Sequence, residues 1–128
     1  MAVLTRPTTR DAALPMVAAR AASAKKAADP VILEVGPVLA ICDYFVIASG
    51  ANDRQVRAIC DEIESEVRQA GGGSPIRVEG LADGRWVLLD YGDFVAHVFL
   101  EEAREYYDLE RLWADAPRVP FEAPAAVG

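Results

Sequence analysis

The chain has 128 residues, 52% of them hydrophobic and 26% charged, with a formal net charge of −7. That is one domain with enough apolar material for its own core, which excludes a disordered chain and a small fold that depends on disulfides. The charge is uneven: residues 1–28 carry +4 and the remainder −11, so the body of the domain repels a phosphate backbone and suits a basic partner surface rather than DNA.

Residues 1–8 read as a flexible N-terminus, and a helix is expected over 8–28. Thr8 or Thr9 would cap it, and Leu14, Val17, Ala21, Ala24 and Ala28 form a small-sided apolar stripe. Pro15 demands a kink or a later start, near the first turn. AALPMVAA (12–19) is followed by Arg20 rather than a small-residue cleavage site, and no run is long enough to span a membrane. VILEV (31–35) and YFVIASG (44–50) read as strands, the second apolar enough to be covered on both faces. A capped helix follows. Asn52 and Gln55 resemble a capping box; Val56, Ile59, Cys60, Ile63, Val67 and Ala70 form its inner face. Arg57 with Asp61, and Glu64 with Arg68, are the expected ion pairs, and Gly71-Gly72-Gly73 stops the helix. IRVEG (76–80), WVLLDY (86–91) and FVAHVFL (94–100) complete the strands, with turns at Asp83-Gly84 and Gly92-Asp93. A last helix is expected from Glu101 to Trp113, with Tyr106, Leu109 and Trp113 on one face, and an Ala/Pro-rich mobile tail over 116–128. The order α-β-β-α-β-β-β-α predicts a mixed α/β domain: one five-stranded mixed sheet flanked by helices.

Chemistry-bearing residues are few. Cys42 and Cys60 lie in apolar patterns without metal-ligand spacing and read as reduced core thiols, as in a cytoplasmic protein. SGAND (49–53) joins a strand to a helix N-terminus but has one glycine, and Asp53 would repel a phosphate. Asp90, Asp93 and His97 are the one constellation that could serve a metal-dependent nucleotidyltransferase-like or hydrolase enzyme. Asp and Gly are also what a hairpin turn requires, and no lysine stands nearby to neutralise a phosphoryl oxygen. The expectation is therefore no catalytic residues, no metal and no cofactor. Strand alternation places Trp86, Leu88 and Asp90 on one face and Val87, Leu89 and Tyr91 on the other. An apolar face ending in a carboxylate reads either as a protein-binding patch or as a surface covered by a helix.

Three segments, DYFVIASGANDRQVRAICDEI (43–63), WVLLDYGDFVAHVF (86–99) and REYYDLERLW (104–113), together resemble the ribosomal silencing factor family, also called Iojap-like, over residues 9–115. The resemblance implies a nucleotidyltransferase-like fold without its activity, because Ser49-Gly50 reverses the order of that superfamily's Gly-Ser turn and no Asp-x-Asp pair exists. It implies binding to the large ribosomal subunit through its ribosomal protein number fourteen, which blocks the small subunit and dampens translation under nutrient limitation. It further implies that Trp86, Leu88, Asp90 and Tyr91 form the contact. An exposed patch of this kind is also expected, on physical grounds, to pair with itself in the free protein as a homodimer.

Overall fold

The structure, a computed structural model, describes residues 12–37 and 42–121. Its elements are α1 (Ala13–Ala24), β1 (Ala28–Glu34), β2 (Tyr44–Gly50), α2 (Asp53–Gln69), β3 (Arg77–Glu79), β4 (Trp86–Asp90), β5 (Phe94–Leu100), α3 (Glu101–Tyr107) and α4 (Leu109–Leu112). The strands form one sheet in the order β1-β2-β5-β4-β3. β2 and β5 run parallel, with α2 in the connection between them; every other neighbouring pair is antiparallel. This is the five-stranded mixed sheet expected from the sequence. Among the described residues, no helix is long and apolar enough to cross a membrane.

β2 is buried along its whole length, as its unbroken apolar sequence requires. α1 and α2 cover one sheet face. Val56, Ile59, Cys60, Ile63 and Val67 of α2 are fully buried against Val46, Val87, Leu89 and Val98. Each such aliphatic side chain contributes roughly 1.5–3 kcal/mol on leaving water. Asn52 Oδ1 accepts the Gln55 backbone N–H at 2.8 Å, and Gln55 Oε1 accepts the N–H of Ala51 at 2.7 Å, so two groups at the helix start are satisfied reciprocally. At the other end Gly72 donates to Val67 O and Gly71 to Arg68 O, and Gly71 takes a left-handed φ of +93°. That is the Schellman arrangement the three glycines foretell.

Several details depart from the sequence reading. α1 starts at Ala13, so Pro15 stands in the first turn, where its missing N–H has no helical partner to lose. Its buried residues are Pro15, Ala18, Ala19, Ala21 and Ala22, whereas Ala24 is exposed. The expected stripe was out of phase because alanines line the helix nearly all round; Thr8 and Thr9 lie outside the described residues. Arg57 turns back to Asp53 at 2.9 Å and donates to the carbonyls of Leu81 and Ala82, instead of pairing forward with Asp61. Ala70 caps α2 at the surface and is no part of its inner face. β1 begins three residues early, with a bulge between Ala28 and Val31 and Asp29 at φ +41°.

The last helix is two. Asp108 adopts the left-handed conformation (φ 49°, ψ 50°) and separates α3 from α4. Leu109 and Trp113 consequently pack on the second sheet face, while Tyr106 is 79% exposed and shares no face with them. The expected mobile tail is also corrected in part. Ala116 is buried, Arg118 bridges to Leu33, and Glu34 N–H donates to Pro117 O while Val119 N–H donates to Ile32 O. Residues 116–119 thus strap the outer edge of β1; residues 122–128 lie outside the described residues.

A half-covered sheet face as the candidate binding site

The second face of the sheet carries Val31, Leu33, Phe45, Ile47 and Phe99, packed under Ala103, Leu109, Trp113 and Ala116. α3 lies against β5 and β2. The cover thins out over β4, and every residue of β3 is exposed.

The hairpin sets what stands there. Tyr91 N–H donates to Phe94 O at 2.9 Å, and Gly92 takes φ +88°, leaving Gly92-Asp93 as a two-residue loop. Asp90 Oδ1 accepts the Gly92 N–H at 2.8 Å and pins the turn. From this turn the register follows: Asp90 opposite Val95, Leu88 opposite His97, Trp86 opposite Phe99. On the other side of β4, Leu88 stands opposite Glu79 and Asp90 opposite Arg77. Arg77 reaches the Asp90 carboxylate at 3.4 Å and Glu79 at 3.0 Å. Trp86, Leu88 and Asp90 are all half-buried and share this face, while Val87 and Leu89 are sealed against α2. A shallow pocket of about 240 Å³ lies between Glu79, Gly80, Trp86 and Leu88.

Trp86 is held on three sides. Its ring stacks on Phe99 (centroids 5.0 Å apart, 27°), Tyr107 tilts against it at 4.7 Å, and its Nε1–H donates to His97 Nδ1 at 3.1 Å. His97 is buried in turn, with the Phe45 ring edge-on at 4.6 Å. Burial pushes the imidazole down to about 4, so it is neutral at ordinary pH. Tyr91, expected beside Trp86, is on the helix side of the sheet, stacked on Phe94 at 4.8 Å. Burial raises its phenol to about 12, and its hydroxyl has no hydrogen-bond partner among the described residues.

Asp90, Asp93 and His97 do not assemble into a metal or acid–base cluster. Asp90 is engaged by the turn and by Arg77, Asp93 is exposed with its backbone carbonyl taken by Asp43 N–H, and His97 is turned to Trp86. Among the described residues no three His, Cys, Asp or Glu side chains could hold a metal ion. Cys42 and Cys60 are free, buried and on opposite sheet faces, with burial raising both thiols. Glu79 and Arg77 were not singled out from the sequence, whereas Tyr107 keeps the outward-facing edge expected of it, at 48% exposed. The two-residue turn carries the register that would have found Glu79 and Arg77 only if β3 could also be aligned.

Fold and face together define the class: a mixed α/β domain whose sheet is sealed by helices on one side and leaves an aromatic and charged strip half open on the other. Residues 8–127 match the family described as "Ribosomal silencing factor during starvation". The ribosomal silencing factor of Bacillus subtilis is 43% identical over 101 residues, spanning 79% of this chain and 85% of that protein. A crystal structure from Chromobacterium violaceum superposes with a TM-score of 0.75 at 31% identity, covering 90% of this chain and 91% of that one. One from Bacillus halodurans gives 0.69 at 40% identity, covering 82% and 94%. The chain belongs to the ribosomal silencing factor family, and its role is accordingly in the regulation of translation.

Proposed function

We propose that the chain binds the large ribosomal subunit through its ribosomal protein number fourteen and, by its bulk, blocks docking of the small subunit, silencing translation under nutrient limitation in the cytoplasm. The observation that carries this reading is the half-open strip formed by Trp86, Leu88 and Asp90 beside the exposed β3. Trp86 and Leu88 offer apolar area to a partner, and Asp90 gives orientation. Tyr91 contributes from the hairpin end by holding Phe94 and the turn in place. The pocket between Glu79, Trp86 and Leu88 has the volume of a single side chain, and its carboxylate rim suits a basic one. Long-range charge supports the same partner: a body at −11 is steered toward a basic ribosomal protein and away from ribosomal RNA.

The protein acts without catalysis on this reading, because it needs only affinity and volume. In the absence of ribosomes, the same strip pairs with a second copy, so that a homodimer competes with subunit binding. Sedimentation with purified subunits tests the proposal. The protein co-sediments with the 50S and not the 30S particle, and lowers the yield of 70S when both are mixed. Equal binding to both particles would sink it. Trp86→Ala weakens 50S binding by about 2 kcal/mol or more, as for a central aromatic anchor.

A further inference from the structure

We propose that His97 is a positioning residue for the docking strip: by accepting the indole N–H of Trp86 it fixes the ring in the orientation the partner meets. This rests on the reading that Trp86 belongs to that strip. The geometry carries it. His97 stands between Ile47 and Leu88 in the sheet, 5% exposed, and cannot touch a partner itself. Its Nδ1 accepts the Trp86 Nε1–H at 3.1 Å. A neutral imidazole that accepts at Nδ1 carries its proton on Nε2. That atom is buried without a hydrogen-bond partner among the described residues.

A buried N–H left unpaired is destabilising, and a phenylalanine or leucine would fill this aromatic nest without that penalty. Packing alone therefore does not account for histidine here, whereas the acceptor on its other nitrogen does. Phe99 and Tyr107 restrict the indole plane through stacking, but stacking does not distinguish a ring from its flipped form. The hydrogen bond does. It also occupies the one donor Trp86 has, so the partner meets the ring as an apolar, π-rich surface and not as a hydrogen-bond donor.

Binding of the full chain to purified large ribosomal subunits tests this, with Trp86→Ala, His97→Phe, His97→Gln and the Trp86→Ala/His97→Phe double variant. His97→Phe keeps a ring but removes the acceptor, and weakens binding about fivefold, the worth of one neutral hydrogen bond. His97→Gln returns an acceptor and recovers most of the loss. In the Trp86→Ala background, His97→Phe has no further effect. The ¹H–¹⁵N chemical shift of the Trp86 indole supplies a readout that a general loss of stability would not move, and its exchange rate reports the same bond in the wild-type chain. In the wild-type chain its proton is protected from exchange; it shifts and exchanges faster in His97→Phe and recovers in His97→Gln. An indole proton that exchanges at the free rate in the wild type overturns the inference without any variant. So does an equal effect of His97→Phe with and without Trp86. If Trp86→Ala leaves binding unchanged, the docking reading fails and takes this inference with it. If Trp86→Ala weakens binding and His97→Phe does not, only the inference fails.

Discussion

Acidification offers a clean perturbation, because His97 is the only histidine in the chain. Burial lowers its pKa from 6.5 to about 4. In the unfolded chain the imidazole takes a proton as pH falls below about 6.5, while the folded protein refuses it until about 4. The unfolded state therefore binds more protons across that interval, and stability falls as pH falls. The contribution is fully present above pH 6.5, is lost progressively down to about pH 4, and changes no further below it. A shift of this size corresponds to about 3 kcal/mol, a large part of the stability of one domain. His97→Gln keeps every carboxylate, so the difference between the two profiles isolates the imidazole. Asp53, held low mainly by its hydrogen bond to Arg57, is present in both proteins. Urea unfolding of the wild type at steps between pH 7 and pH 4, beside His97→Gln, measures the effect. The wild-type midpoint drops with acid, and the variant, less stable at pH 7, shows a much flatter profile. Parallel profiles for the two proteins would refute the assignment of a buried neutral imidazole.

Substitutions at three further positions probe the frame around the strip. Asn52→Ala removes the side-chain acceptor for Gln55 N–H and lowers stability by about 1 kcal/mol in urea titration. Gly80 sits at φ +84°, and a Cβ there would drive into the Trp86 carbonyl oxygen, so Gly80→Ala displaces the start of β4. It reduces binding to the large subunit more than it reduces the thermal midpoint. Asp108→Val destabilises by about 1–2 kcal/mol, because a β-branched residue resists the left-handed conformation, whereas Asp108→Gly is neutral or stabilising. Calorimetry that ranks valine with glycine would show that the break between α3 and α4 is not conformationally strained.

The parts of the fold legible in the sequence were those specified by nearby residues. β2 and β5 are continuous apolar runs and appear at their expected bounds. α2 is announced by Asn52, its inner stripe and three glycines. The hairpin register follows from Gly92-Asp93 alone, and with it the pairing of Leu88 with His97. What stayed hidden depends on distant partners. Arg104 is the clearest case. Its guanidinium donates to Ala28 O, Asp29 O and Ser49 Oγ and pairs with Glu110 at 2.9 Å. One side chain thus holds the irregular start of β1 and the start of α4, on either side of the break at Asp108. Neither local propensity nor periodicity contains a contact across 76 residues. α1 failed for a different reason: a helix rich in alanine carries too little contrast to show which side is inner.

For the candidate site, alternation along β4 separated Trp86, Leu88 and Asp90 from Val87, Leu89 and Tyr91, and the structure keeps that division. Alternation could not say which face stayed open. That is decided by coverage. The strap at Pro117–Val119 occupies the β1 edge, and beyond the turn at Asp108 Leu109 and Trp113 join the cluster around Phe45, with the Trp113 ring edge-on to Phe45 at 5.6 Å. Tyr107, the last residue of α3, is where the cover stops, and it rests on Trp86. The aromatic ring at the margin is consequently both the last piece of the core and the first piece of the strip. That double position accounts for a Trp86 that is stacked and hydrogen-bonded yet not fully covered; on the proposed docking, an anchor ordered before its partner arrives loses less freedom on binding.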